Sequence, residues 1–272
     1  MNYGLQGTTV LITGAAGGIG QELVRTFSKT DAKIAIHFNK NKKEAEALLK
    51  SVPANCQAEL FQADLRDENQ VAELWKACES KLGAVNTLIA NAGIYYPEDR
   101  PIQSMSLEQW NNTLSSNLTS IFLCFREFFR GIEKYKLKSP SAVIIGSTAG
   151  IHGEAYHADY AASKAALSYG FLASLKTEIV RIAPHGRMNA VCPAWTLTQA
   201  TEDVLMDTDT VIRTLQTVPL RKFARPQDVA NLCLFLSSPE LAGHITGQSI
   251  PVDGGMEGRV LFNSDEINPR QA

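Results

Sequence analysis

Seven short apolar runs recur along this chain, and each of the first six is followed by a stretch patterned as a helix. The runs are Val10–Thr13, Lys33–Phe38, Ala58–Gln62, Thr87–Ala90, Ala142–Ser147, Arg187–Cys192 and Gln248–Val252. Helical patterns cover Ile19–Lys29, Lys42–Ser51, Glu68–Lys81, Asn112–Tyr135, Tyr156–Ile182 and Pro226–Ser237. Continuous apolar runs suit strands buried on both faces, and strand–helix alternation gives parallel neighbours joined by right-handed crossovers. The fold class this predicts is α/β: a single doubly wound, Rossmann-type domain with a seven-stranded parallel sheet and helices on both faces.

No repeat, low-complexity stretch or linker divides the 272 residues, and α/β domains of about 250 residues are common. One domain is expected over residues 1–256, including a lid at 195–217, followed by a polar tail at 257–272. The lid interrupts the alternation and is acidic through Glu202, Asp203, Asp207 and Asp209; long excursions in compact domains often cover ligands. The tail reads either as a disordered end or as a segment docked on a partner subunit.

A formal net charge of −2 argues against a nucleic-acid or membrane-surface partner. No leader pattern opens the chain, and no apolar run reaches the roughly 18–20 residues needed to cross a bilayer. The five cysteines are widely spaced in apolar stretches and read as buried reduced thiols, so a cytoplasmic location is expected. The five histidines form no HxxxH or HExxH pair, so no catalytic metal is expected.

The first strand runs into Gly14-Ala-Ala-Gly17-Gly18-Ile19-Gly20, immediately before a helix. Glycines allow a tight turn and close backbone approach, and a helix N-terminus offers free N–H groups to a pyrophosphate. A glycine cluster alone also suits an ordinary turn; its place between strand and helix favours a dinucleotide.

Tyr160 and Lys164 are four apart in a helical stretch and so share one face. Chance supplies about a third of such a pair in a chain with seven tyrosines. Here, however, the pair follows Ser147, at the end of an apolar strand, and strand C-terminal ends are where open α/β sheets bind ligands. Hydride arriving at a carbonyl carbon leaves an alkoxide that needs a proton, and the reverse reaction needs a base. A free phenol titrates near 10, and a neighbouring ammonium, together with the positive ring of a bound nicotinamide, is expected to bring it closer to working pH.

Taken in order, Thr13-Gly14-x3-Gly18-x-Gly20, Asp64-Leu65, Asn91-Ala92-Gly93, Asn117, Ser147, Tyr160-x3-Lys164 and Pro193 resemble the short-chain dehydrogenase/reductase family. The resemblance spans roughly residues 5–256 and is nearest to the 3-oxoacyl-[acyl-carrier-protein] reductase branch. It implies catalytic roles for Asn117, Ser147, Tyr160 and Lys164, with Ser147 orienting the substrate oxygen and Lys164 also holding the nicotinamide ribose. It implies that Asn117 bends its helix and keeps a water beside the lysine. It also implies cofactor contacts from Gly14, Gly18, Ile19, Gly20, Asp64, Leu65, Asn91, Ala92, Gly93, Pro193, Thr196 and Thr198. By themselves Asn91 would suit a turn and Asp64 a helix cap. The family usually has Pro-Gly where this chain has Pro193-Ala194, so the backbone near Thr196 is expected to run differently. Relatives generally form homotetramers through the two long helices, which makes a homotetramer, or a dimer, the expected assembly.

NAD-selective sites carry an acid at the end of the second strand, about 20 residues past the glycines. Here the sequence is Phe38-Asn39-Lys40-Asn41, with Asn39 and Lys40 suited to a 2′-phosphate, so NADP(H) is favoured over NAD(H); the lysines also suit a solvated helix start. Tyr95, His152, Tyr156 and Trp195 follow motifs at the pocket rim and are candidate substrate contacts, or ordinary packing. In the carrier-protein branch, basic residues beside the pocket hold the carrier, and Lys138 and Arg181 match them in sequence. The leading expectation is NADPH-dependent reduction of a ketone or aldehyde, possible substrates including a 3-oxoacyl-carrier thioester. The alternatives are an NAD-dependent alcohol, sugar or polyol dehydrogenase and a non-catalytic dinucleotide-sensing scaffold.

Overall fold

A computed structural model describes residues 2–201, 207–256 and 258–269. Seven strands form one parallel sheet in the order β3-β2-β1-β4-β5-β6-β7. They are β1 (Thr9–Ile12), β2 (Lys33–Phe38), β3 (Ala58–Gln62), β4 (Val85–Ala90), β5 (Ser141–Ile145), β6 (Arg187–Pro193) and β7 (Ser249–Val252). Chain order runs outward from β1 to β3, then restarts on the other side of β1 with β4. That reversal opens a crevice at the carboxyl ends of β1 and β4, where doubly wound sheets hold ligands.

Helices cover both faces. On one face α1 (Gly18–Phe27), α2 (Lys42–Ser51) and the helix Pro226–Ser237 bury Leu23, Val24, Phe27, Leu48, Val229 and Cys233 against the sheet. On the other, α3 (Glu68–Leu82), α5 (Ser120–Tyr135) and α8 (Leu172–Ile182) contribute Val71, Trp75, Phe125, Phe128 and Ile179. Strands β1 and β5 are buried at every position, which is why their sequences are unbroken apolar runs rather than alternating ones.

The two long helical stretches begin at different points from those the sequence suggests. The first starts at Leu107 as α4 (Leu107–Leu114), because Ser106 caps it by accepting from the Gln109 N–H at 3.1 Å. It continues through a π-turn at Ser115–Thr119 into α5. The second follows a short α6 (Ala149–His152), starts at Ala158 as α7 (Ala158–Ala165) and passes through another π-turn, Ala166–Phe171, into α8. Tyr156 lies outside it, with a left-handed φ of 68°.

The segment expected as a lid contains a helix, Thr208–Leu215, capped by Asp207; Glu202 and Asp203 lie outside the described residues. The described part of the tail packs on this segment of its own chain. Ile267 is buried with Val211, Leu215 and Phe223, and the Leu261 N–H donates to the Gln216 carbonyl at 2.7 Å.

Candidate active site

Three strand ends converge on the crevice. After β1, Gly14 adopts a φ of 61°. A Cβ there would lie 2.8 Å from the Ala92 Cα, and one on Gly18 would lie 2.6 Å from the Thr198 Cβ. At Gly20 a Cβ would overlap the Gly14 carbonyl. The turn's own packing therefore requires glycine at these three positions. At the start of α1, Gly17 provides no side-chain cap and the first turn holds no acid, leaving Gly18, Ile19 and Gly20 to offer uncapped N–H groups.

After β4, Asn91 locks the turn to this loop: its amide donates to the carbonyls of Thr13 and Gly14 at 3.0 and 3.1 Å. The Thr13 hydroxyl in turn accepts from the N–H groups of Asn91 and Ala92. Gly93 faces the catalytic candidates directly, since a Cβ on it would be 3.1 Å from Asn117 Oδ1 and 3.6 Å from Lys164 Nζ.

The π-turn at Ser115–Thr119 is what turns Asn117 inward. Its Oδ1 accepts from the Ile94 N–H at 2.7 Å, and its Nδ2 donates to the Ile94 carbonyl and to Ser163 Oγ at 3.0 and 3.2 Å. Widened helical turns of this kind occur often at functional sites. Asn117 thereby joins β4, α4 and α7 immediately beside Lys164.

Ser147 lies two residues beyond β5, close enough to Tyr160 to influence its phenol, while its Oγ accepts from the Ala149 N–H at 3.1 Å. Lys164 is 5% exposed; its Nζ donates to the Ile145 carbonyl at 2.8 Å and lies 5.7 Å from the centroid of the Tyr160 ring. Burial lowers this ammonium to about 8. Burial also raises the Tyr160 phenol to about 12, against the opposing effect of Ser147, with the charges of Glu154 and Cys192 adding to the rise. The lowering expected from the ammonium together with a nicotinamide ring concerns the cofactor-bound enzyme. Among the chain's own groups, enclosure outweighs the lysine, and the phenol is held protonated.

A cleft of about 410 Å³ extends from the glycine turn along the ends of β2 and β3, bordered by Gly14, Asn39, Lys40, Asp64, Leu65, Arg66, Ala92 and Gly93. Arg66 was not singled out from the sequence. It grips Asp64 with two nitrogens, at 2.9 and 2.6 Å, and this hydrogen bonding holds the carboxyl down at about 2. The acid at the third strand is thus neutralised as a pair, and Lys40 stands at the same end of the cleft.

The substrate candidates separate. The Tyr95 ring meets the Tyr160 ring edge-on at 5.1 Å, stacks on His157 at 4.7 Å and donates its hydroxyl to Glu154 at 3.1 Å. Glu154 and His157 are further neighbours of the site that no motif marked. Tyr156 and His152 are exposed at the ends of short segments, and Trp195 packs into the lid cluster with Val211 and Leu215. Thr196 is buried and donates to the Ala194 carbonyl at 2.9 Å. Pro193 ends β6, and Ala194 follows without a positive φ, so the alanine is accommodated without backbone strain. Lys138 and Arg181 lie away from this chain's pocket: they border a separate cleft of about 680 Å³ with Lys136 and His185, at the amino end of β5. Among the described residues no group of three or more metal-ligating side chains assembles, and no helix is long and apolar enough to cross a membrane.

Comparison with known proteins agrees with this geometry. The family model described as enoyl-(acyl carrier protein) reductase matches residues 14–257. A 3-oxoacyl-[acyl-carrier-protein] reductase of Synechocystis sp. is 32% identical over 93% of this chain and 98% of its own. The 2,3-dihydro-2,3-dihydroxybenzoate dehydrogenase of Bacillus subtilis is 35% identical over 93% and 97%. A crystal structure from Brucella melitensis, titled short-chain dehydrogenase/reductase SDR:glucose/ribitol dehydrogenase, superposes with a TM-score of 0.81 at 27% identity, covering 94% of this chain and 98% of that one. The chain belongs to the short-chain dehydrogenase/reductase family, in the 3-oxoacyl-[acyl-carrier-protein] reductase-like branch, and is an oxidoreductase acting on CH–OH and carbonyl groups with a nicotinamide cofactor.

Proposed function

We propose that this enzyme reduces a ketone or aldehyde with NADPH, Tyr160 acting as the general acid. The observation that carries the reading is Tyr160 itself: it stands beside Ser147 and Lys164, and burial keeps it protonated, the state required to quench an alkoxide. Ser147 would orient the carbonyl oxygen toward that proton. Lys164 and Asn117, fixed behind the tyrosine, would supply positive charge and hold the helices in register.

The turn of Gly14, Gly18 and Gly20 fits a dinucleotide, because its tight internal packing sets the uncapped, acid-free start of α1 at the crevice, where a pyrophosphate would meet free N–H groups. Ile19, Asn91, Ala92, Gly93, Pro193, Thr196 and Thr198 would complete that surface, with Asp64 and Leu65 toward the adenine. The bound cofactor supplies the hydride. Lys40, Asn39 and the Arg66 of the Asp64–Arg66 pair would receive a 2′-phosphate, since no unpaired acid stands at the end of β2.

Similarity to a dihydroxybenzoate dehydrogenase favours a second reading, in which an alcohol is oxidised on NAD. Titration with NADPH and NADH, then a panel of carbonyl and alcohol substrates followed through the absorbance of the reduced nicotinamide, separates the two. Tight NADH binding with indifference to NADPH would refute the cofactor assignment. We also infer a cytoplasmic homotetramer or dimer, built on α5 and α8. Phe122, Tyr169 and Val180 lie 46%, 48% and 44% exposed on the α5 and α7–α8 stretches, and sedimentation equilibrium tests the assembly.

A further inference from the structure

One wholly enclosed side chain has no part in the chemistry above. His37, near the end of β2, is 1% exposed. Its Nε2 lies 3.1 Å from the Ala63 carbonyl, and its Nδ1 lies 3.1 Å from the Gly14 nitrogen. The carbonyl can only accept and the amide can only donate, so Nε2 carries the hydrogen and Nδ1 is the bare acceptor. The same residue's own carbonyl accepts from the Ala15 N–H at 2.9 Å. One histidine therefore binds two successive N–H groups of the glycine turn while its far nitrogen anchors on the chain leaving β3.

Gly14 is where the turn takes its left-handed step, and Ala92 lies against the position a Cβ would take. Its N–H is half-buried, and leaving it unpaired there would cost free energy. Within the turn the amide finds none; the ring of His37, 23 positions on, supplies it.

We propose that His37 is the positioning residue of the cofactor loop, its neutral ring fixing the Gly14 turn so that the start of α1 presents its N–H groups to a dinucleotide. This rests on the dinucleotide reading above. The ring sets cofactor affinity and leaves the reacting carbon untouched, so its removal raises the dissociation constant and the KM for NADPH but spares kcat at saturation.

Three variants separate positioning from simple core filling. His37→Asn keeps an acceptor the same number of bonds from the backbone as Nδ1 and gives up the reach to Ala63. His37→Gln keeps that reach and moves its acceptor away from Gly14. His37→Leu keeps only bulk. NADPH dissociation constants from fluorescence titration, melting temperatures without cofactor, and kcat with KM are measured for each.

Expected are NADPH affinities about tenfold weaker for His37→Leu and His37→Gln, near wild type for His37→Asn, and kcat within about twofold throughout. If His37→Leu does not fold, the contrast between Asn and Gln carries the same test. Equal affinity in Asn and Gln, or melting temperatures that fall while affinity stays constant, would overturn the proposal alone. A wild-type enzyme that binds neither NADPH nor NADH would overturn it together with the dinucleotide reading.

Discussion

Lys164 Nζ donates to the Ile145 carbonyl at 2.8 Å while standing 5.7 Å from the centroid of the Tyr160 ring. The end of β5 thus fixes the ammonium against the tyrosine. Such an arrangement serves catalysis at the expense of stability, because burial brings the lysine from its ordinary 10.5 to about 8. The charged form is disfavoured by about 3 kcal/mol in the fold. That cost is complete below pH 8, where folded and unfolded chains are both protonated. It fades as pH rises toward 10.5, where the unfolded chain also loses its proton.

Lys164→Met keeps the length and removes the charge. The melting temperature is expected to stay level or rise at neutral pH, while turnover falls about a hundredfold or more. Calorimetry and steady-state rates on one preparation check both halves; a clear loss of stability would mean that the hydrogen bond to Ile145 outweighs the buried charge.

The reductive pH profile should report the lysine before the tyrosine. Tyr160, raised to about 12, remains an acid across the neutral range, whereas Lys164 loses its charge near 8. The expected profile of kcat/KM for carbonyl reduction is flat at neutral pH and declines above about 8. A profile that stays flat to the tyrosine's own limb would show that the ammonium charge is not needed.

Cofactor choice should depend on Lys40. It borders the cleft where Arg66 is already engaged by Asp64, so Lys40→Ala removes the cation not bound to an acid there. NADPH affinity is expected to weaken by about tenfold, with NADH affinity unchanged. Titration calorimetry with both cofactors reads the difference, and an equal loss for both would place Lys40 away from the 2′-phosphate.

His37 makes a separate prediction about acid. Burial, its largest influence, lowers the ring from 6.5 to about 4, opposed by the bond to Ala63 and by Asp64. The unfolded chain therefore binds a proton more readily than the folded one between these values. Stability is unaffected above pH 6.5 and is lost as pH falls toward 4, by about 3 kcal/mol in all. His37→Asn should flatten this part of the stability curve, measured by urea unfolding at a series of pH values.

The sheet was legible because strands such as Val10–Ile12 and Ala142–Ile145 are buried on both faces and carry no polar interruption. Tyr160, Lys164 and Ser147 were legible because one helix and one strand end carry them. His37 was not, since its partners come from β1 and from beyond β3, 23 and 26 positions away. Arg66 was missed because a surface arginine and an arginine paired to Asp64 read alike in sequence. Trp195 followed a motif, yet the lid cluster claims it. The upward effect of burial on Tyr160 in the chain alone was not legible for another reason: spacing reveals the neighbouring charge and hides the enclosure.

The most direct test is Tyr160→Phe, assayed in a single turnover of the best carbonyl substrate through the absorbance of the reduced nicotinamide. The hydroxyl is the only group removed, so NADPH affinity should stay within about twofold while the rate falls by roughly 10²–10⁴-fold. Near-full turnover by the phenylalanine enzyme would contradict the assignment of Tyr160 as the acid that completes the reaction.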